Sequence, residues 1–407
     1  MKSRWMFTLL TASLVAVMVG TSYAEVKLDG ELRVRGVLVN NDEGAASPSK
    51  GGFFEQRTRL NADASVDENA KLFIQLQDSR KWGEKKGTGD NTVATGQDVE
   101  ALDMAQGYIE LGKLFEQPLS VRLGRQALAY GEHRLIGSLE WSNNARRFDA
   151  IKFMYKHDVA DVDFLVAKVS ESDGNWDKDK NLAGIYASLK VVPQNNIDVY
   201  LLDKVEAGGT SFFTLGGRIN GAVKDVNIDY TAEIAIQTGD HATDVDKSAN
   251  AYAIKAGYTI PDVLGGLRIG VEYDAATGND TSTTDENEAF DNLYPTNHYL
   301  YGFTDDIGWT NIKALSLNVS AKPMDNLKVV LEYWKYTLAE KSAGGEDDAG
   351  SEINLKANHE MSKKINCELG LALRDAGKTG AVSYGYGAIP ADESATLAYL
   401  AINVKFN

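Results

Sequence analysis

Arginines recur in this chain in pairs two residues apart, Arg33 with Arg35 and Arg57 with Arg59, and Glu31 and Glu55 stand in the same alternating rows. A guanidinium offers a planar fork of donors that grips carboxylates in pairs and keeps its charge at any ordinary pH. Residues at i and i+2 share one face of an extended strand. The same parity along the chain gathers Lys71, Arg122, Lys152, Arg218, Arg268, Lys328 and Arg374, together with Asp63, Asp163, Glu233, Glu272, Glu332 and Glu368. Two chemistries fit such a face. A run of Arg lining a conduit favours anions beside it, whereas the same charges also pair across neighbouring strands and serve only to hold them. Catalysis has little support. The five histidines, His133, His157, His241, His298 and His359, stand in no motif with a serine and a carboxylate, and an enzyme would need that kind of grouping.

The elements that must carry these charges are strands. Leu32, Val34, Gly36 and Leu38 alternate with Arg33 and Arg35, and Leu60, Ala62 and Ala64 with Arg59, Asn61 and Asp63. Ile228 to Ile236, Leu267 to Tyr273 and Ile365 to Leu373 behave likewise, as does the final run Leu400, Ile402, Val404 and Phe406. The segments run about ten residues, the length of a tilted membrane strand, against about five or six for a soluble sandwich. Connections alternate between short turns, such as Asp67-Glu68-Asn69, Gln194-Asn195-Asn196 and Met324-Asp325-Asn326, and long polar stretches at 81–103, 127–148, 275–310 and 377–394. Outer-membrane barrels have this asymmetry, with short periplasmic turns and long outer loops. The expected fold is therefore all-β: a transmembrane antiparallel barrel of eighteen strands. Sixteen is the runner-up, because the segments near 108, 122 and 217 are rich in glycine. A soluble β-sandwich is the competing architecture.

Residues 1–24 read as a cleaved signal peptide: Lys2 and Arg4, an uncharged apolar run from Met6 to Gly20, then Ser22 and Ala24 before the cut. The barrel would occupy 25–407. The formal net charge is −16 at pH 7, two units lower once Lys2 and Arg4 leave with the peptide, which argues against a nucleic-acid partner. The single cysteine, Cys367, precludes an internal disulfide. Acidic runs at Asp280, Asp285, Glu286 and Glu288 and at Glu346, Asp347 and Asp348 would suit Ca²⁺ or its bridging to lipopolysaccharide, though such runs are more often solvated loop faces. No other cofactor is expected.

Residues 121–155 carry Leu123-Gly124-Arg125-Gln126, Tyr130-Gly131, Arg134-Leu135, Trp141 and Phe148-Asp149, and residues 289–305 read AFDNLYPTNHYLYGFTD. Leu331-Glu332-Tyr333-Trp334 and Gly350-Ser351-Glu352-Ile353 add a weaker match. These segments resemble the alginate export family of bacterial outer-membrane barrels, and the resemblance covers essentially the whole mature chain. It implies an eighteen-stranded monomeric barrel in the Gram-negative outer membrane, and export of an acidic polysaccharide through an electropositive constriction. By the motif match, Arg125, Arg134, Arg146 and Arg147 become candidates for loop-borne basic groups at that constriction, or else for groups that tie the loop to the wall. The C-terminus departs from the usual barrel ending, since Asn407 follows Phe406. Expected partners are an anionic saccharide or a small solute, outer-membrane lipid and lipopolysaccharide, and periplasmic export components for a polymeric cargo. The alternatives are a weakly selective small-solute porin and, further off, a barrel enzyme or adhesin.

Overall fold

The computed structural model describes residues 25–41, 51–82, 102–171, 179–379, 382–384 and 387–407. The expected signal peptide and most of the stretch 81–103 lie outside the described residues. Eighteen strands build the barrel. In chain order they are β1 (Glu25–Asn41), β2 (Gly51–Ser65), β3 (Ala70–Lys81), β4 (Asp103–Leu111), β5 (Leu119–Gln126) and β6 (Phe148–Lys156). Next come β7 (Ala160–Ser170), β8 (Lys180–Leu189), β9 (Asn195–Glu206), β10 (Thr210–Val223), β11 (Ile228–Ala242) and β12 (Val245–Ile260). The last six are β13 (Leu267–Ala276), β14 (Ile312–Met324), β15 (Leu327–Thr337), β16 (Asp348–Ser362), β17 (Ile365–Asp375) and β18 (Ser394–Phe406). Each pairs antiparallel with its chain neighbours, and β18 returns to β1 from Gly30↔Phe406 to Asn41↔Ala395. Closure leaves no free edge, as a spanning sheet requires in lipid. The eighteen-strand expectation holds, including the glycine-rich strands β4, β5 and β10.

The outward face separates this fold from a sandwich. Ile234, Ile254 and Leu317 are 54%, 55% and 56% exposed, and Leu32, Leu60, Ile151, Ile269, Leu369 and Ile402 stand exposed in the same way. A continuous belt of large aliphatics far exceeds the apolar patch a soluble monomer tolerates, and its natural solvent is hydrocarbon. The alternate residues turn inward, where Arg33, Arg57, Arg59, Glu233 and Glu272 are buried.

Height along the strands adds a second pattern. Toward the end that carries the long loops, the inward positions of β11 to β14 are small: Ala235, Ala249, Ala251, Ala253, Ala276 and Ala314. Toward the short-turn end, the same strands turn Thr231, Lys255, Arg268 and Asn318 inward. The small residues leave room for a core inside the barrel, made of Phe290, Tyr301, Ile307 and Trp309 from loop 277–311 against Leu128, Leu135 and Ile136 from loop 127–147. Two long connections thus fold into the lumen.

Candidate functional site

Loop 127–147 leaves β5 and enters the lumen at once. The main-chain N–H of Ala127 donates to Gln106 Oε1 at 2.9 Å, and Tyr130 Oη donates to Asp163 at 2.8 Å. Gly131 and His133 both take positive φ and turn the chain. Arg134 is then 1% exposed, donating to Asp274 at 3.0 Å and to Glu272, with Tyr301 Oη at 2.7 Å. Lys255 and Arg218 close on the neighbouring Glu132.

The other limb crosses to β1–β3. Arg33 and Arg57 each donate to the Glu140 carbonyl at 2.9 Å and reach the Ser142 carbonyl at 3.3 and 3.1 Å, while Arg35 donates to the Trp141 carbonyl at 2.9 Å. Ser79 and Gln77 hold the carbonyls of Asn143 and Asn144 at 2.8 and 2.9 Å. The Glu140 carboxylate meets Arg59 at 2.7 Å and Arg147 at 2.9 Å. Burial pushes that carboxyl up, but Arg59, Arg147 and Arg57 more than offset it and hold it at about 2. Loop 127–147 is therefore a chord across the barrel, fastened at β13 and at β1–β3.

Loop 277–311 backs the chord. Gly137 N donates to Tyr294 O, Tyr294 N to Leu135 O and Thr296 N to His133 O, all within 2.9 Å. A Cβ at position 137 would sit 2.2 Å from Thr296 Oγ1, so this contact requires glycine. Arg146 donates to Pro295 O at 2.7 Å. Trp141 stacks on His298 at 3.8 Å, and the Arg35 guanidinium lies 3.7 Å from the Trp141 ring. His298 Nδ1 donates to Asp305 at 2.9 Å. Burial pulls the imidazole below its ordinary value despite that carboxylate.

The candidate residues separate by location. Arg33, Arg57, Arg59 and Arg147 converge on the chord's tip. Arg122 pairs with Glu110 at 2.6 Å, Arg218 with Asp198 at 3.0 Å and Arg268 with Asp229 at 2.7 Å on the inner wall. Arg134, Arg146 and Arg374 act as fasteners, Arg374 being fully buried against Asp306 at 2.7 Å. Arg125 departs from its expected place. It belongs to β5 rather than the loop, in register with outward Leu123 and paired with Asp149 at 2.8 Å; at the end of its strand it still lines a cleft with Gln77, Ser79, Asn144 and Arg147 beside the loop. Sequence reasoning missed Glu132, Glu140, Asp274 and Lys255. Parity alone would have turned Asp274 and Lys255 inward, whereas the two glutamates depend on the loop's path. Among the described residues, no three His, Cys, Asp or Glu side chains come together as metal ligands.

Inward loops on a lipid-facing barrel are the architecture of a channel, and comparison with known proteins agrees. The family model described as alginate export matches residues 25–381. The chain belongs to the alginate export family. Solved structures of the same fold include Pseudomonas aeruginosa OccK5 (OpdH), with TM-score 0.63 at 10% identity over 94% of this chain and 99% of that one. Acinetobacter baumannii OccAB1 gives 0.62 at 14% identity over 93% and 97%. Pseudomonas aeruginosa OpdK with vanillate gives 0.59 at 10% identity over 93% and 99%. Among curated proteins, none matches the sequence. This alginate export family barrel is a bacterial outer-membrane channel and not an enzyme.

Proposed function

We propose that this channel passes an anionic saccharide or polysaccharide, with Arg33, Arg57, Arg59 and Arg147 setting a positive field where the chord meets the wall. One observation carries the reading: at that point five guanidinium groups, Arg35 included, face three carboxylates, Glu31, Glu55 and Glu140. Arg33, Arg35, Arg57 and Arg147 also donate to neutral main-chain carbonyls, which anchor the loop without cancelling charge. A low-dielectric wall lets that surplus act across the lumen. Arg122, Arg218 and Arg268 line the approach. In a planar bilayer under a salt gradient, the purified barrel is expected to prefer anions and to be blocked reversibly by uronate oligomers. Cation preference with no saccharide block would overturn the reading.

A small-solute channel is the second reading, and the aromatic fill of the lumen favours it. Trp309, Tyr301 and Phe290 occupy space that a polymer would need, and a neighbour of the same fold is solved with vanillate, a small aromatic carboxylate. Block by short uronates but exclusion of long ones would select it. In either case we read the chain as a barrel of residues 25–407 released from a signal peptide at 1–24. It would work as a monomer in lipid and lipopolysaccharide, with periplasmic export components where the cargo is a polymer.

A further inference from the structure

We infer that the short-turn half of the lumen holds a subsite for a sugar-acid ring, built on Phe73 of β3 and Arg122 of β5. This deepens the saccharide reading and rests on it. Phe73 faces inward, opposite Asp63 of β2 and Tyr108 of β4 in register. A phenyl ring turned into a polar lumen has no lipid to meet and no core to fill: its inner-wall surroundings are Asn61, Asp63, Gln75, Gln106 and Glu110, and it stays half-buried. Tyr108 stacks on it at 5.1 Å between centroids, with 25° between planes. The Arg122 guanidinium lies over Tyr108 at 4.3 Å. Tyr108 is thus enclosed between a ring and a cation, and Phe73 is the end of the stack. Among the described residues, no further ring or cation stacks on Phe73.

Arg122 is only partly used. Its Nε and Nη2 both donate to one oxygen of Glu110, at 2.9 and 2.6 Å. Its Nη1 makes no hydrogen bond among the described residues, which leaves a donor edge beside the aromatic stack. The amide run Gln106 to Gln75 at 3.2 Å and Gln75 to Asn61 at 3.0 Å adds oriented hydrogen-bonding groups around the rings. Together these suit one ligand chemistry. The C–H face of a pyranose packs on Phe73, its hydroxyls meet the amides, and its carboxylate meets Arg122. An inorganic anion would use the arginine and leave the rings idle.

The test is single-channel block of the full-length barrel by tri-uronate and by a neutral trisaccharide. The variants are Phe73→Leu, Phe73→Ala and Arg122→Gln, and salt conductance and heat-modifiable gel mobility serve as the folding readouts. Phe73→Ala should shorten the block by both sugars about five- to tenfold, with Phe73→Leu in between. Arg122→Gln should shorten only the uronate block. Unchanged block in Phe73→Ala overturns the subsite while leaving the saccharide channel standing. Anion-selective conductance that no saccharide blocks in the unmodified protein overturns both the subsite and the saccharide cargo. Should Phe73→Ala lose gel mobility, Phe73→Leu and the Arg122→Gln charge discrimination decide the matter by the same criteria.

Discussion

The β1–β3 side of the lumen and the β9–β13 side hold the same loop by opposite means. On the first, guanidiniums outnumber carboxylates and spend their donors on the carbonyls of residues 140–142. On the second, Glu132, Asp198, Glu233, Glu272 and Asp274 surround Arg134, Arg218 and Lys255. A carbonyl accepts a hydrogen bond without cancelling the donor's charge, and a carboxylate cancels it. One wall therefore keeps a positive surplus and the other a negative one, with the chord suspended between them. The fastening of the loop and the field across the lumen come from the same side chains.

The largest effect should come from the acidic side. Arg134→Ala would strand Asp274 and Glu272 in a buried setting without their cation, a loss on the order of 3–5 kcal/mol. The temperature at which the folded gel band shifts should fall markedly, with Arg134→Lys recovering part of it. A smaller fall than in Arg57→Ala would reverse the ranking of the two anchors. On the basic side, Arg57→Ala combined with Arg59→Ala should affect selectivity more than stability. Its anion-to-cation permeability ratio, read from reversal potentials, should drop to one or below. Asp198→Asn with Glu233→Gln should raise the ratio, and equal shifts in the same direction would refute a transverse field.

Trp141→Ala touches neither charge balance. It removes the ring that stands between Arg35 and His298 and joins the two loops. The expected result is more frequent current flicker at unchanged selectivity, with a thermal loss smaller than that of Arg134→Ala, about 1–3 kcal/mol. Quiet channels in this variant would mean that the backbone bonds around Gly137 and Tyr294 hold the loops alone.

The barrel was legible because each strand repeats one decision: a side chain at every second position must suit either lipid or water. Leu32 against Arg33 and Ile269 against Arg268 state it locally, with no tertiary knowledge. The site was legible in part. Parity correctly turned Arg33, Arg57, Arg59, Arg122 and Arg218 inward, and the same parity puts Arg125 in register with outward Leu123 at the end of β5, although its motif suggested a loop. What parity cannot supply is the path of residues 127–147. That path depends on the alanines of β11–β14 leaving space at one height only, and on acceptors that are main-chain carbonyls with no sequence signature. The joining of Trp141 to His298 across separate motifs is likewise a consequence of two loops sharing one lumen.

The smallest predicted effect probes how the basic anchor responds to acid. Glu140 is a loop carboxylate whose pKa is held at about 2, against an ordinary value of 4.5, by Arg59, Arg147 and Arg57 acting against its burial. A depressed carboxyl contributes its full stabilisation above 4.5 and loses it as the pH falls toward 2. Loop flicker should therefore stay constant from pH 8 to pH 5 and rise only below 4.5. Glu140→Gln should show the acid-level flicker already at pH 7, with no further step on acidification. Because the carbonyl bonds to Arg33 and Arg57 survive in that variant, the rise should be modest and the loop should remain in the lumen. A step between pH 7 and 5 that vanishes in Glu140→Gln would show that the carboxylate titrates near neutrality. The guanidiniums would then not be coupled to it, and the positive surplus on the β1–β3 side would be larger than three paired carboxylates allow.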